Sequence, residues 1–165
     1  MVIRRLTVDP GVSGGYMERL IEESKLCGIE TLSFGARKFV DQDTLVSELV
    51  TLGLDGTPTD VIIEHVHGGV FGGSKAGAKS MFTFGENYGT WRSALRFTSV
   101  VYGWRVVPVN PKQWQKLIPG LPADRAERKR AILQRVRDYY PGEKIPLYLA
   151  DAWAMQMVWS GLWPA

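Results

Sequence analysis

The order of apolar and polar positions divides the chain into short strands followed by amphipathic helices. Short apolar runs bounded by glycine or proline predict strands. Five strands are predicted, over residues 3–9, 16–21, 28–34, 59–66 and 104–110. The first ends in Asp9, before Pro10 and Gly11. The fourth carries the unbroken run Val61–Ile63, which suits a strand buried on both faces.

Helices are predicted where apolar residues recur at steps of three and four. These segments are residues 41–52, 80–102, 111–118, 124–140 and 149–162. The longest carries Met81, Phe84, Tyr88, Trp91, Leu95, Thr98 and Tyr102 at such steps. The order of elements is typical of an α/β fold with a mixed five-stranded sheet, in which three antiparallel strands precede parallel additions.

Composition favours one globular domain over the whole chain. The chain has 165 residues, 45% of them hydrophobic and 22% charged, so intrinsic disorder and fibrous repeats are excluded. The one cysteine, Cys27, excludes a disulfide framework and a cysteine-rich zinc module. No run approaches the ~20 apolar residues that span a bilayer, and the N-terminal segment lacks the apolar stretch of a signal peptide. We therefore expect a cytoplasmic protein without membrane contact.

Three carboxylates stand at the ends of predicted elements. Asp9 closes the first strand, Glu64 closes the apolar run of the fourth, and Asp151 lies in the first turn of the last helix. Acidic side chains seldom end a strand buried on both faces without a cation. If the first and fourth strands are neighbours, Asp9 and Glu64 stand side by side, and a divalent ion is the simplest partner. Each carboxylate alone also fits a structural role, as a turn cap, an ion-paired strand end or a helix-start residue.

Positive charge is concentrated in the C-terminal half. The net charge is only +3, but residues 112–137 carry eight basic side chains against two acidic ones. This asymmetry favours a polyanionic partner such as DNA, although a solvated helix face explains the same pattern. The candidate DNA-contacting residues are Lys112, Lys116, Arg125, Arg128, Lys129 and Arg130, with Lys75 and Lys79 from the glycine-rich segment that follows Glu64.

Three short motifs occur in a fixed order along the chain. They are Val8-Asp9-Pro10-Gly11 with Gly14-Gly15, then Ile62-Ile63-Glu64-His65-Val66, then Leu149-Ala150-Asp151-Ala152-Trp153-Ala154. Together they resemble the motifs of RuvC-like Holliday junction resolvases, in the RNase H-like superfamily. The small size resembles the bacteriophage-encoded members. The chain departs from the pattern at Tyr148, where the family usually has a fourth acidic residue.

The resemblance implies an RNase H-like fold and metal-dependent hydrolysis of DNA. Asp9, Glu64 and Asp151 would be the ligands of Mg²⁺ or Mn²⁺, with two ions in each site. Lys116 would be a further catalytic residue. The expected products are paired nicks in a four-way junction, with 5′-phosphates that a ligase can seal.

The resemblance also implies a homodimer. The helix predicted over 80–102 is the candidate for the dimer interface. Phe84, Tyr88 and Trp91 are the predicted dimer contacts, and packing in the core of one chain is the competing interpretation. Two other functions stay open. One is a nuclease of the same superfamily that cuts flaps, other branched DNA or RNA–DNA hybrids. The other is a junction-binding module without catalysis, to which Tyr148 points.

Overall fold

The computed structural model describes residues 3–11, 15–20, 42–65, 78–139, 141–142, 144 and 149–161. The strands in these ranges are β1 (Arg4–Asp9), β2 (Gly15–Leu20), β3 (Thr59–Glu64) and β4 (Arg105–Val109). The helices are α1 (Gln42–Gly53), α2 (Ala78–Tyr102), α3 (Pro111–Gln115), α4 (Arg125–Tyr139) and α5 (Ala150–Trp159). The predicted strand over 28–34 lies outside the described residues, as do Lys75 and Tyr148.

The four strands form one mixed sheet in the order β2-β1-β3-β4. β2 is antiparallel to β1, whereas β1, β3 and β4 are mutually parallel. β1 and β3 are the central strands. In both strands every residue except the second is buried. The predicted α/β class and mixed sheet are confirmed, with one antiparallel pair and two parallel pairs among four described strands; the predicted third antiparallel strand lies outside the described residues.

Each face of the sheet has its own hydrophobic cluster. On one face, Leu6 and Val61 pack with buried residues of α1 and α2. On the other, Ile62 packs with Trp114 of α3 and with buried residues of α4 and α5. Side chains alternate between the faces along a strand, so Asp9 and Glu64 fall on the second face, toward α3, α4 and α5. No helix of the described ranges has the length and apolar character that a membrane span needs.

The buried face of α2 differs from the predicted stripe. Trp91, Leu95 and Thr98 are buried as predicted, but Met81 is 46% exposed. Thr83 and Asn87 are buried instead, at 8% and 2% exposure. The apolar residues of this helix lie on more than one side, so the sequence pattern did not determine which side meets the sheet.

Candidate active site

Asp9 and Glu64 end neighbouring parallel strands at the same edge of the sheet. The pairing of β1 with β3 runs to Val8 opposite Ile63, so the next residue of each strand is the carboxylate. Each of the two residues is only 8% exposed. The two strands are therefore neighbours, as the sequence analysis required for the two carboxylates to stand side by side. Two acidic groups are thus buried close to each other.

The turn after β1 holds the Asp9 carboxylate against the backbone. The N–H of Gly11 donates a hydrogen bond of 3.0 Å to Asp9 Oδ1. A Cβ atom at Gly11 would lie 3.1 Å from that oxygen, closer than most real Cβ contacts. A side chain at this position would therefore press on the Asp9 carboxylate and shift it by a few tenths of an ångström.

Asp151 reaches the same edge from the first turn of α5. The Thr7 hydroxyl, two residues before Asp9, donates a buried hydrogen bond of 2.8 Å to the Ala152 carbonyl oxygen. This bond ties the start of α5 to the middle of β1. Lys129 of α4 approaches Asp151 as well, with 3.4 Å between its Nζ and Asp151 Oδ2.

Glu64 is held by a buried tryptophan. Trp114, which is fully buried, donates from Nε1 to Glu64 Oε1 at 3.0 Å. A capping box starts α3: the Asn110 side chain accepts from the Lys112 N–H, and the Gln113 side chain accepts from the Asn110 N–H. This cap fixes the direction of α3 directly after β4.

Burial and mutual repulsion disfavour the charged forms of these carboxylates. Burial, with repulsion from Asp151, raises the pKa of Asp9 to about 6. Burial, with repulsion from Asp9 and Asp151, raises the pKa of Glu64 to about 8. Lys129 acts in the opposite direction on both groups, and Arg125 does so on Asp9. The three carboxylates are therefore close enough to interact electrostatically.

The donor set suits a hard divalent cation. Carboxylate oxygens are the ligands that Mg²⁺ and Mn²⁺ prefer, and a cation bound beside Asp9 and Glu64 would relieve the repulsion that helps to raise the pKa of these two buried acids. Within the described ranges, no three His, Cys, Asp or Glu side chains lie in an arrangement that could hold a metal ion without some movement. Asp151 lies instead beside the Lys129 ammonium group.

The described basic residues that were predicted to contact DNA lie in or next to three helices, α2, α3 and α4. Lys112 and Lys116 are exposed, in and directly after α3, the helix that carries Trp114. Arg125 and Arg130 are exposed on α4, whereas Arg128 and Lys129 are half-buried. Lys79 lies in the first turn of α2.

Sequence reasoning assigned Lys129 only to DNA binding and missed its contact with Asp151. A signal was present, because Lys129 lies three and four residues before the buried Ile132 and Leu133 and so shares their side of the helix. Trp114 was also missed. An isolated tryptophan in a short helix gives no sequence sign of a carboxylate partner.

The three aromatic residues predicted as dimer contacts have different environments. Trp91 is 1% exposed and packs edge-on against Tyr16, so within one chain it is a core residue, as the competing interpretation expects. Tyr88 hydrogen-bonds through its hydroxyl to Nδ1 of His65, the residue after Glu64. Phe84 stacks on Tyr88, with 6.1 Å between ring centroids and 8° between planes. Phe84 and Tyr88 thus lie on the side of α2 that faces the end of β3.

Solved structures share the mixed sheet and the helices on both of its faces. The chain aligns with Thermus thermophilus RuvC in complex with Holliday junction substrate at a TM-score of 0.63 and 18% identity, over 94% of this chain and 91% of that one. A second Thermus thermophilus RuvC structure aligns at a TM-score of 0.60 and 19% identity, over 96% of this chain and 92% of that one.

The comparisons by sequence find no relative. No protein-family model matches the chain, and no curated protein matches it. The resemblance that the three motifs carry is therefore confirmed by structure, at the level of the fold.

Proposed function

We propose that this chain is a metal-dependent endonuclease that resolves four-way DNA junctions. The observation that carries the proposal is that Asp9 and Glu64 end neighbouring strands of a RuvC-like sheet side by side, with Asp151 near enough to act on both electrostatically. Similarity to a RuvC in complex with Holliday junction substrate supports branched DNA as the substrate. Such an enzyme would act in the cytoplasm of a bacterial cell or a phage-infected host.

Asp9, Glu64 and Asp151 would hold the Mg²⁺ or Mn²⁺ ions. When bound, such ions activate a water molecule at neutral pH and stabilise the leaving 3′-oxygen, which gives nicks with 5′-phosphates. The protein contributes the orientation of its carboxylates, through Gly11 at Asp9 and Trp114 at Glu64. Lys129 adds a positive charge beside Asp151, where the phosphate of the DNA would approach.

The basic residues of α3 and α4 would bind the DNA arms. Arg125 and Lys129 lie one turn apart on α4, and both act electrostatically on Asp9. Arg128 and Arg130 extend the charge along the same helix, and Lys112 and Lys116 add to it from α3. Lysine and arginine contacts to phosphates supply most of the affinity for DNA without reading its sequence. We also propose that Lys75 and Lys79 bind DNA and that Lys116 acts near the scissile phosphate.

A second copy of the chain would bind the outer face of α2. Phe82 and Val100 are 72% and 70% exposed on this face. Between them, Gly85 and Gly89 have open space where a Cβ atom would be, which allows another helix to approach closely. Paired nicks need two active sites, and a two-fold dimer supplies them with one self-complementary face. Trp91 belongs to the core and is not part of this contact.

The experiment that tests the proposed function compares substrates. An end-labelled four-way junction, a linear duplex, a flap and an RNA–DNA hybrid are each incubated with Mg²⁺, with Mn²⁺ or with EDTA. The proposal predicts cleavage of the junction alone, lost in EDTA. Faster cutting of the flap or the hybrid would assign the same site to another substrate. Tight junction binding without cleavage in either metal would indicate a binding module.

A further inference from the structure

The hydrogen bond between Trp114 and Glu64 joins a neutral donor to a buried acid. Trp114 is fully buried, Glu64 is 8% exposed, and 3.0 Å separates Nε1 from Oε1. We propose that Trp114 is a positioning residue, whose indole N–H holds one oxygen of Glu64 and thereby orients the carboxylate for a divalent cation. This inference rests on the proposed function, because it assigns a role toward the same metal site.

The surrounding structure fixes the indole in place. Val109, the last residue of β4, pairs in register with Glu64, and its carbonyl oxygen accepts from the His65 N–H at 2.7 Å. Asn110 then starts α3 with its capping box, so the helix begins at a defined point next to Glu64. Trp114 itself is part of the hydrophobic cluster on this face of the sheet. The ring therefore cannot turn its N–H elsewhere without disturbing that cluster.

The chemistry of the indole suits this role. Its N–H is a donor only, so it can bond a carboxylate oxygen but cannot serve as a metal ligand. It also carries no charge, and it therefore orients Glu64 without repelling a cation. Lys129 is different in this respect, because its ammonium group places a positive charge beside Asp151.

Partners of metal ligands affect metal binding more than overall folding. Loss of a hydrogen bond to a ligand typically lowers metal affinity or activity by about 10-fold to 100-fold. Trp114→Phe keeps an aromatic ring in the cluster and removes the N–H. We therefore expect Mn²⁺ affinity to fall about 10-fold in this variant. Cleavage should recover as the Mn²⁺ concentration is raised, because the ligand itself is still present.

The test measures Mn²⁺ binding to the DNA-free protein by calorimetry or by electron paramagnetic resonance. The matched control is Trp91→Phe, which changes a buried tryptophan in the cluster on the opposite face of the sheet. A second variant replaces Trp114 with benzothienylalanine, which has the shape of tryptophan but carries sulfur in place of the N–H. This variant separates loss of the hydrogen bond from loss of volume.

The inference is supported if both changes at Trp114 weaken Mn²⁺ binding and Trp91→Phe does not. It is overturned if the benzothienylalanine protein binds Mn²⁺ as tightly as the parent, or if Trp91→Phe weakens binding equally. In those cases, cleavage by the parent protein leaves the proposed function intact. A parent protein that binds no Mn²⁺ would contradict both.

Discussion

Asp9 and Glu64 are the terminal residues of two adjacent parallel strands, and each is 8% exposed on the same face of the sheet. Burial, with repulsion from Asp151, raises the pKa of Asp9, and burial, with repulsion from Asp9 and Asp151, raises the pKa of Glu64. Such an arrangement costs stability and is retained where it has a use. The divalent-cation site that we propose would give this arrangement such a use.

The first prediction concerns the three carboxylates. Asp9→Asn, Glu64→Gln and Asp151→Asn each keep the size of the side chain and remove its charge. Each variant should lose junction cleavage to background and keep junction binding, because basic residues supply the affinity. Gel-shift assays in Ca²⁺ and cleavage assays in Mg²⁺ measure the two properties. A variant that still cuts at the parental rate would remove that residue from the ligand set.

The second prediction concerns pH and the stability of the metal-free protein. The unfolded carboxyl groups titrate at 3.8 and 4.5, whereas Asp9 and Glu64 in the folded protein titrate at about 6 and about 8. Between these limits the folded state binds more protons than the unfolded state. The free energy of unfolding should therefore fall as pH rises from about 4 to about 8.

Glu64→Gln provides the control, because glutamine does not ionise and its oxygen can still accept from Trp114. In EDTA this variant should melt at a higher temperature than the parent at pH 8, with little difference at pH 4. Thermal denaturation followed by circular dichroism measures both. A variant less stable than the parent at pH 8 would show that the Glu64 charge is not destabilising.

The third prediction separates Lys129 from the other basic residues of α4. Lys129→Met keeps the aliphatic chain and removes the charge beside Asp151, so single-turnover cleavage should fall by about 100-fold, as when a transition-state donor is lost. Junction affinity should change little. Arg130→Met, at an exposed position on the same helix, should weaken binding and its salt dependence without this loss in rate. Equal effects of the two changes on the rate would assign Lys129 to DNA binding alone.

Lys116 is tested in the same assay. Lys116→Ala should lower the cleavage rate more than junction affinity if this exposed lysine acts near the scissile phosphate. An unchanged rate would leave Lys116 as a surface charge, and Lys129 would then be the lysine of the site.

The fourth prediction concerns the outer face of α2. Gly89→Leu places a large side chain where the structure leaves open space, so a closely packed second copy should no longer fit. Leucine favours helix more than glycine by up to ~1 kcal/mol, so the helix itself should persist. Analytical ultracentrifugation should therefore show a monomer, and circular dichroism should show the helicity of the parent. Gln134→Leu, an exposed change on α4, should leave the dimer intact, and a Gly89→Leu dimer would exclude this face.

The candidate site was largely predictable because its residues stand at the ends of elements. The apolar run before Glu64 and the Pro-Gly turn after Asp9 mark where each strand stops, and parallel pairing then brings the two carboxylates together. Asp151 was predictable from its motif at a helix start. These features depend on local sequence and on a topology with few alternatives.

The remaining features depend on tertiary packing. Lys129 reaches Asp151 only because α4 packs beside α5. The sequence of α4 shows that the helix is basic, but it does not show which helix lies next to it. The rotation of α2 buries Asn87 and exposes Phe82, against the order of their hydrophobicity. Trp114 meets Glu64 across 50 residues of sequence, which no local pattern encodes.

The most direct test of the central claim is cleavage of a supercoiled plasmid that extrudes a cruciform. Two coordinated nicks at the junction linearise the plasmid within one binding event, whereas a single nick gives a relaxed circle. The account predicts linear product in Mg²⁺, with ends that a ligase can reseal, and no product in EDTA or with Asp9→Asn. Relaxed circles alone, or linear product that persists in EDTA or with Asp9→Asn, would contradict it.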